Sequence, residues 1–321
     1  MYDFLDNKAV LITGGTGFFG EELVSRLLKL PKVRKVVIYS RDEFKQHLMA
    51  ERYDDKRLRC YLGDIRDLSR LKRAFEDIDY VIHAAALKQV PILEENPFEA
   101  VKTNIQGSQN VIEASLETEP TRVLLLSTDK ACAPLNLYGA TKLVAEKLFV
   151  DANSYVGKRL TTFAVVRYGN VINSRGSVVP LFKRLASEGK PLPITDPKMT
   201  RFWVDADEAV HFVLRKLPLH QKGLVYIPKL SSVSLANLAE AISPNAEWYT
   251  IGCRPGEKMH EELISPHESS RAVFAFHTGY VLEPDASWHS KLHSGWKKVP
   301  KGFSYSSKDN LMTLEEIRDK L

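Results

Sequence analysis

The stretch that most constrains the fold lies near the start of the chain, where an apolar run meets a cluster of glycines. Ala9-Val10-Leu11-Ile12 is typical of a buried strand, and a helical pattern runs over 21–30. Between them lies Thr13-Gly14-Gly15-Thr16-Gly17-Phe18-Phe19-Gly20. The spacing Gly15-x-Gly17-x-x-Gly20 suits a turn whose backbone amides meet a pyrophosphate at a helix N-terminus. The sequence therefore predicts a βα unit that binds a dinucleotide, rather than a merely tight turn.

Apolar runs then alternate with helical patterns through the first half of the chain. Strands are predicted at 35–39, 58–62, 80–86, 123–126 and 162–167, and helices at 68–75, 97–118 and 138–150. This alternation is typical of an α/β fold with a parallel, doubly wound sheet of the Rossmann type. In such a sheet the ligand lies at the carboxyl ends of the strands.

The composition changes after the sixth predicted strand, and this change suggests a domain boundary. We predict a dinucleotide-binding domain over 1–172, to which 202–227 returns, and a smaller C-terminal α/β substrate-binding domain over most of 173–321. Within the second part, 254–258 is predicted to form a turn that leads into a helix, and the pattern weakens beyond residue 266.

The end of the second predicted strand indicates which dinucleotide is bound. Ser40 and Arg41 stand where an NAD-binding unit usually carries an acid. A hydroxyl and a guanidinium suit a ribose 2′-phosphate, because the planar fork of Arg matches phosphate geometry. We therefore favour NADP over NAD, although Asp42 or Glu43 could bind a 2′-hydroxyl instead.

Two further strand ends carry candidate cofactor contacts. Asp64 could reach the adenine amino group, or it could cap the helix predicted at 68–75. Ala84, Ala85 and Ala86 follow the fourth strand, and their small side chains would leave room for the cofactor. His83, flanked by aliphatic residues, is expected to be a core histidine.

The fifth predicted strand ends in a cluster of side chains that can move protons. Thr128, Asp129 and Lys130 lie at its carboxyl end, and Tyr138 and Lys142 follow on a predicted helix. Residues four apart on a helix share a face, so the Lys142 ammonium could lower the pKa of the Tyr138 phenol. Asp129 and Lys130 together provide an acid and a base, unless they form a simple surface pair.

Composition narrows the function classes. The net charge of +5 fits an anionic small molecule, but the basic residues are scattered and give no stripe for nucleic acid. Cys60, Cys132 and Cys253 lie far apart, which argues against disulfides and a zinc site. The chain has no run of about eighteen apolar residues and no secretory pattern, so we expect a cytoplasmic protein without membrane insertion.

Several motifs resemble one enzyme family. Thr13-Gly14-x-x-Gly17-x-x-Gly20, with Thr128, Tyr138 and Lys142, resembles the cofactor turn and the Ser/Thr-Tyr-Lys set of the extended short-chain dehydrogenases/reductases. Within that class, 127–130 and 136–142 are similar to motifs of the inverting UDP-N-acetylglucosamine 4,6-dehydratases, which begin pseudaminic acid biosynthesis. Segments 39–43, 173–180, 199–203 and 254–258 are similar to that subfamily as well, whereas Ala131-Cys132-Ala133-Pro134 departs from the expected Ala-Ala-Asn-Pro.

The resemblance implies a UDP-sugar substrate, a homo-oligomer that is a dimer or a hexamer, no metal site, and three sets of site residues. The catalytic set is Thr128, Asp129, Lys130, Tyr138 and Lys142. The cofactor set is Thr13, Gly14, Thr16, Gly17, Phe18, Phe19, Ser40, Arg41, Asp64, Ile65, Ala84, Ala85, Ala86, Lys88, Asn104, Tyr138 and Lys142. The substrate set is Lys88, Lys130, Tyr138, Asn170, Val178, Arg201, Arg254 and Glu257.

The reaction implied is NADP-dependent dehydration of UDP-N-acetylglucosamine to a 4-keto-6-deoxy sugar with inversion at C5. Tyr138 would deprotonate the C4 hydroxyl, Lys130 would take the C5 proton, and protonated Asp129 would assist loss of the C6 hydroxyl. Two alternatives stay open. A UDP-sugar 4-epimerase needs no acid/base pair after Thr128, and a catalytically silent NADP-sensing protein could share the same fold.

Overall fold

The computed structural model describes residues 2–174, 176–219, 221–244, 247–270, 273–284 and 295–321. The strands are β1 (Ala9–Thr13), β2 (Lys35–Ser40), β3 (Leu58–Leu62), β4 (Tyr80–His83), β5 (Arg122–Thr128), β6 (Thr162–Tyr168), β7 (Asn170–Val171), β8 (Leu192–Ile194), β9 (Thr200–Val204), β10 (Val225–Pro228), β11 (Ser231–Ser234), β12 (Trp248–Thr250), β13 (Glu262–Ile264), β14 (Val273–Phe276), β15 (Gly279–Leu282), β16 (Lys297–Lys298) and β17 (Tyr305–Ser306). The α-helices are α1 (Phe18–Leu28), α2 (Glu43–Tyr53), α3 (Leu68–Phe75), α4 (Val90–Glu95), α5 (Pro97–Ala100), α6 (Gly107–Thr118), α7 (Leu137–Asp151), α8 (Val178–Ser187), α9 (Ala206–Leu214), α10 (Leu235–Ile242), α11 (Pro266–Ser269) and α12 (Leu314–Asp319).

One large sheet dominates the described residues and has the strand order β16-β14-β15-β10-β6-β5-β4-β1-β2-β3. Every pair from β3 to β10 is parallel, whereas β15, β14 and β16 extend the sheet with antiparallel pairs. β1, β5 and β6 are buried at every position. Because neighbouring side chains on a strand point to opposite faces, both faces of this part of the sheet are covered. The predicted α/β fold with a parallel, doubly wound sheet is confirmed.

The glycine-rich turn joins β1 to α1, which begins at Phe18, earlier than the predicted start at residue 21. Gly14 has a φ of +68°, and a Cβ at this position would lie 2.8 Å from the backbone of Ala85. A Cβ on Gly20 would lie 2.5 Å from the carbonyl oxygen of Gly15, so α1 approaches the turn this closely only with glycine there. No side chain of the described residues caps α1, so its first amide groups remain available at the N-terminus.

The helix predicted over 97–118 is present, but its winding changes in the middle. α5 passes into a π-helical stretch, Val101–Gln106, before α6 begins. Within that stretch, the side-chain amide of Asn104 donates to the Leu87 carbonyl at 2.9 Å and to the Thr141 hydroxyl at 3.0 Å, and its oxygen accepts from the Leu87 amide at 2.8 Å. Asn104 therefore joins the loop after β4 to α7.

A second hydrophobic cluster lies in the C-terminal part of the chain. Its buried members include Ile172, Phe182, Ile194 and Trp203. α8 and α10 pack against β8, and α12 packs on α10. The strands β7, β9 and β11 form a small sheet, β12 pairs with β8, and β13 pairs with β17. β10, from the segment predicted to return to the first domain, joins the large sheet, as do β14, β15 and β16.

Residues 254–258 form a turn, but the helix predicted to follow them is wrong. The chain instead runs through an isolated bridge between His260 and Thr200 into β13. The amide of Glu261 donates to Ser307 Oγ at 2.9 Å, and its carbonyl accepts from the Ser307 amide at 2.8 Å. Pairing with a distant segment therefore replaces the local hydrogen bonds of a helix. None of the helices in the described ranges combines the length and apolarity needed to cross a bilayer.

Candidate active site

A cavity of about 1020 Å³ lies at the carboxyl ends of the parallel strands and contains most of the predicted site residues. The predicted residues on its wall are Gly14, Thr16, Gly17, Phe18, Phe19, Ser40, Arg41, Asp64, Ile65, Ala84, Ala85, Ala86, Lys88, Thr128, Lys130, Tyr138, Lys142 and Asn170. The predicted residues that do not line it are Thr13, Asn104, Asp129, Val178, Arg201, Arg254 and Glu257. Arg175, in the motif over 173–180, lies outside the described residues.

The end of β2 presents a buried hydroxyl and an exposed guanidinium to the cavity. Ser40 Oγ accepts hydrogen bonds from Thr16 Oγ1 and Gln46 Nε2, both at 3.1 Å. Arg41 is exposed, and its Nη1 lies 3.6 Å from Asp64 Oδ2. Asp42 caps α2 by accepting from the amide of Lys45 at 3.0 Å. The helix cap thus engages Asp42, while Arg41 carries an exposed positive charge at this strand end.

Asp64, after β3, does not cap α3. That cap is Asp67, which accepts from the Arg70 amide at 3.0 Å. The carboxylate of Asp64 accepts instead from Arg66 Nε at 2.9 Å and Nη2 at 2.7 Å. Burial acts to raise the pKa of Asp64, but the hydrogen bonds from Arg66 outweigh it and the pKa is lowered. An ionised carboxylate therefore stands on the cavity wall.

His83 is a core histidine, as predicted, and it contacts Thr13 at the start of the glycine-rich turn. Its Nδ1 lies 2.7 Å from Thr13 Oγ1 and its Nε2 lies 3.1 Å from Ser108 Oγ. Thr13 Oγ1 also accepts from the amide of Ala85 at 3.3 Å. Burial lowers the pKa of His83 to about 3, so the ring is neutral at pH 7. Thr13 acts through these contacts rather than on the cavity wall.

Tyr138 and Lys142 both line the cavity, but they do not interact as the helical spacing suggested. Lys142 Nζ donates to the carbonyl of Leu126 at 2.6 Å, and burial lowers the pKa of Lys142 to about 8. Burial raises the pKa of the Tyr138 phenol, while the Lys130 ammonium and a hydrogen bond with Thr128 oppose that rise. The prediction that Lys142 lowers the pKa of Tyr138 is therefore wrong for this geometry, because Lys142 is held by the backbone of β5.

Asp129 is fully buried and its partner Lys130 is 23% exposed, so the alternative of a simple surface pair is wrong. Asp129 is 0% exposed, and its Oδ1 accepts from Lys130 Nζ at 3.0 Å and from Thr128 Oγ1 at 2.9 Å. Its Oδ2 is buried with no hydrogen-bond partner among the described residues. Burial acts to lower the pKa of Lys130, but the carboxylates of Asp129 and Glu261 outweigh it, and the pKa is raised. The resting pair is an ammonium beside a carboxylate.

Two charged residues of this cluster were missed from the sequence. Glu261 Oε1 lies 3.6 Å from Lys130 Nζ, and Lys258 Nζ lies 3.9 Å from Glu261 Oε2. Lys258 belongs to the 254–258 motif, and an acid three residues later was the one available signal. That signal was lost because the segment was predicted as an ordinary helix, on which such a pair is usually solvated.

A buried ionic network holds β5 and α7 in place behind the site. Arg167 Nη2 donates to Glu146 Oε2 at 2.6 Å and to Glu268 Oε1 at 2.9 Å. Ser127 Oγ donates to Glu146 Oε1 at 2.5 Å, so the network reaches the residue before Thr128. Cys132 is buried, and its thiol lies 3.2 Å from Glu268 Oε2. These contacts connect β5, β6, α7 and α11, and they fix the frame that carries the acid/base pair.

The predicted substrate arginines lie beyond the cavity wall. Arg201 Nη1 donates to the Thr200 carbonyl at 2.8 Å. Arg254 is exposed, and its Nη1 lies 3.8 Å from Glu257 Oε1 within the 254–258 turn. Asn136, which caps α7, donates from Nδ2 to the Gly256 carbonyl at 2.9 Å. This contact ties the turn to the start of the helix that carries Tyr138.

Comparison with known proteins agrees with this architecture. A family model described as polysaccharide biosynthesis protein matches residues 10–281. The chain belongs to this family. It is 48% identical over 320 residues to the UDP-N-acetylglucosamine 4,6-dehydratase (inverting) of Campylobacter jejuni, with 97% of this chain and 96% of that relative covered. The predicted resemblance to the inverting dehydratases is therefore confirmed.

Other relatives of this polysaccharide biosynthesis family member carry a different name. It is 38% identical over 328 aligned residues to the UDP-glucose 4-epimerase of Rickettsia massiliae, with 99% of this chain and 96% of that relative covered. Among solved structures, the X-ray structure of Pen from Bacillus thuringiensis matches with a TM-score of 0.90 and 38% identity, covering 99% of this chain and 97% of that one. Because relatives with both names match over 96% of their length, the chemistry of the site has to decide between them.

Proposed function

We propose that the protein is an NADP-dependent UDP-N-acetylglucosamine 4,6-dehydratase that inverts C5, acting at the first step of a pseudaminic acid-type pathway. The observation that carries this proposal is the Asp129–Lys130 pair on the cavity, in which Lys130 Nζ donates to Oδ1 of the buried Asp129 at 3.0 Å. The similarity to the inverting dehydratase of Campylobacter jejuni supports the class of substrate.

The part of the cavity that lies at the ends of β1 to β4 suits a nicotinamide dinucleotide. The uncapped N-terminus of α1 offers amide groups to a pyrophosphate, and a side chain at Gly14 would collide with the Ala85 backbone. The exposed guanidinium of Arg41 suits a 2′-phosphate, and the small residues after β4 leave room beside the sheet. Storage of a hydride between oxidation at C4 and reduction at C6 is the chemistry that such a cofactor supplies.

The first proton in the proposed reaction moves to Tyr138. A phenolate at this position takes the proton of the C4 hydroxyl, and the hydroxyl of Thr128 holds the same oxygen. Burial opposes the phenolate, and the Lys130 ammonium is the cation that favours it. Once C4 is a ketone, the hydrogen on C5 is acidic. The charged form of Lys130 therefore serves the first step.

Dehydration needs the opposite charges, a neutral Lys130 and a protonated Asp129. One proton that moves along the 3.0 Å hydrogen bond from Nζ to Oδ1 produces both forms at once. The neutral amine then takes the C5 proton, the C5–H electrons form the C5–C6 double bond, and the C6 hydroxyl leaves as water with the proton of Asp129. This step restores the ammonium and the carboxylate. Inversion follows if C5 later receives a proton on the face opposite Lys130.

A UDP-sugar 4-epimerase is the second candidate, and the similarity to the Rickettsia epimerase favours it. Epimerisation uses the same Tyr138 and Lys142 but breaks no bond at C5 or C6. It has no use for an acid and a base beside the tyrosine, so the energetic cost of burying Asp129 favours the dehydratase.

The experiment that tests the proposal is incubation of the purified protein with UDP-N-acetylglucosamine and NADP, followed by analysis of the sugar by NMR. A 4-keto-6-deoxy product with inverted C5 is the expected result. Formation of UDP-N-acetylgalactosamine would instead identify an epimerase, and bound cofactor without turnover would identify the NADP-sensing alternative.

A second copy of the chain is the partner that we propose. Ile92, Phe98, Leu135 and Val144 are exposed apolar side chains on or next to α4, α5 and α7, and exposed fractions of 58% and 79% at Ile92 and Phe98 are high for residues of this kind. These helices would pair with their counterparts in a homo-oligomer. Sedimentation equilibrium tests this arrangement.

A further inference from the structure

Glu261 is a buried carboxylate of the acid/base cluster that no motif singled out. It is 3% exposed, and its Oε1 lies 3.6 Å from Lys130 Nζ. Its backbone is held on both sides by Ser307, through the hydrogen bonds of 2.9 Å and 2.8 Å that replace the predicted helix. This pairing fixes the start of β13 beside the turn that carries Lys130, so the position of the carboxylate is set by the fold.

Lys130 has three oxygen neighbours around its ammonium group. Asp129 Oδ1 lies at 3.0 Å, Asn170 Oδ1 at 3.2 Å and Glu261 Oε1 at 3.6 Å. The first two contacts are hydrogen bonds, and the third is an ion pair at longer distance. Two of the three belong to buried carboxylates.

Lys258 supplies the charge that balances Glu261. Its Nζ lies 3.9 Å from Glu261 Oε2 and donates to the Cys132 carbonyl at 2.6 Å. Glu261 therefore lies between two ammonium groups, and Asp129, Lys130, Lys258 and Glu261 together carry no net charge. The Oε2 atom makes no hydrogen bond to the described residues, which leaves its interaction with Lys258 purely electrostatic.

We propose that Glu261 is a positioning residue of the reaction. It holds the Lys130 amine in place while Lys130 changes from the charged to the neutral form that dehydration requires, and Lys258 is the counter-charge of Glu261. This inference rests on the proposed dehydratase function. When Lys130 passes one proton to Asp129, the neutral amine keeps two N–H donors; Asn170 Oδ1 accepts one at 3.2 Å, and the Glu261 carboxylate, 3.6 Å away, attracts the other electrostatically. The lone pair, which first faces Asp129, takes the C5 proton once Asp129 has turned its own proton toward the C6 hydroxyl.

This arrangement makes a signed prediction about pH. The charged or titratable groups that face Lys130 are Asp129, Glu261, Arg201, Lys88 and Tyr138. The active Asp129–Lys130 pair holds one mobile proton; activity ends when the pair gains a second proton or loses the first. Removal of the negative charge of Glu261 makes the pair release protons more readily, so both pH limits of dehydration move to lower pH, by about one to three units.

The test compares Glu261→Gln with wild type and with Glu262→Gln. Glu262 is the next residue, and its Oε1 accepts from Ser304 Oγ at 3.1 Å, away from Lys130. We expect the pH limits of kcat to fall in Glu261→Gln while KM for the UDP-sugar changes less than kcat. Glu262→Gln is expected to keep the wild-type profile. A wild-type profile and rate in Glu261→Gln would overturn the inference.

Two further variants separate positioning from a merely structural role. Glu261→Asp keeps the charge and is expected to restore the wild-type pH limits, at a reduced rate. Lys258→Met leaves Glu261 unbalanced and is expected to move the limits to higher pH, opposite to Glu261→Gln. Equal loss of dehydration in Glu261→Gln and Glu261→Asp, with unchanged pH limits in Lys258→Met, would show a structural role and contradict the proposal.

Failure of this inference is distinguishable from failure of the proposed function. If wild-type protein forms no dehydrated sugar, the proposed function fails whatever the variants do. If wild type dehydrates and the Glu261 variants behave like Glu262→Gln, only the role of Glu261 fails.

Discussion

The two ends of the cavity are built in different ways. At the cofactor end, the backbone forms the site, because Gly14 and Gly20 leave no space for a Cβ and α1 begins without a side-chain cap. At the acid/base end, charged side chains form the site. Asp129 and Lys130 follow β5, Asn170 follows β6, and Glu261 comes from the segment before β13.

This difference explains which kind of substitution damages each end. A backbone site depends on the absence of side chains, so one added methyl group is enough to damage it. A buried charged site depends on balance, because each charge that loses its partner is left in a medium of low polarity. The predictions below test this contrast, from the largest expected effect to the smallest.

Gly14→Ala is expected to have the largest effect. Alanine would have to adopt the left-handed backbone conformation of Gly14, and its Cβ would lie 2.8 Å from the Ala85 backbone. We therefore expect the free energy of unfolding to fall by about 4 kcal/mol and dinucleotide binding to be lost. Gly157→Ala is the matched control, since Gly157 has a φ of +57° but no atom within 4 Å, and about 1 kcal/mol is expected there. Urea unfolding measures both. Equal losses would show that conformation, not close contact, governs the turn.

Arg167→Met tests the charged end. It removes the cation between Glu146 and Glu268, and a loss of about 3 kcal/mol in unfolding free energy is expected, at the low end for a buried pair because the Glu268 side chain is 25% exposed. Arg52→Met is the control, because Arg52 is 63% exposed and its Nη1 lies 4.0 Å from Glu21, and a much smaller loss is expected. If the two variants unfold at the same urea concentration, the buried network does not carry the frame of the site.

Arg41→Ala should have the smallest effect, and it tests an exposed cation at the cofactor end of the cavity. We expect NADP affinity to fall about tenfold or more, because hydrogen bonds to a charged phosphate contribute about 1.5–3 kcal/mol, while NAD affinity stays unchanged. Lys45→Ala is the control, because it removes another cation from the same wall, one whose Nζ lies 2.5 Å from Asp42 Oδ2. Isothermal titration with both dinucleotides checks this. A parallel loss for NADP and NAD would refute a role for Arg41 in binding the 2′-phosphate.

The contrast also explains what the sequence could predict. The glycine spacing, β1 to β6 and α7 were predicted closely, because each depends on residues that are neighbours in the chain. The antiparallel strands β14 to β16 are short, and β14 is only partly buried after Val273, so their alternation of polar and apolar residues was too weak to recognise. The π-helical stretch was missed because its apolar pattern matches that of an ordinary helix.

Within the site, the sequence identified residues but not their interactions. Lys130 and Tyr138 were predicted correctly to lie on one cavity, yet Lys130, not Lys142, is the cation that favours the Tyr138 phenolate. Helical spacing predicts which residues share a face, but it does not predict which backbone oxygen accepts a hydrogen bond from a lysine side chain. The only signal of Glu261 was its spacing of three residues from Lys258, and that spacing did not indicate its proximity to Lys130, which depends on pairing with Ser307.

The central claim is that Lys130 takes the C5 proton, and deuterium at C5 tests it most directly. Wild type and Lys130→Met would be incubated side by side with UDP-N-acetylglucosamine in deuterated water, and the sugars analysed by mass spectrometry and NMR. We expect deuterium at C5 of a dehydrated sugar for wild type. For Lys130→Met we expect none, with NADP binding retained and C4 oxidation slowed by the loss of the cation that favours the Tyr138 phenolate. Wild-type incorporation of deuterium at C5 in Lys130→Met would contradict the account.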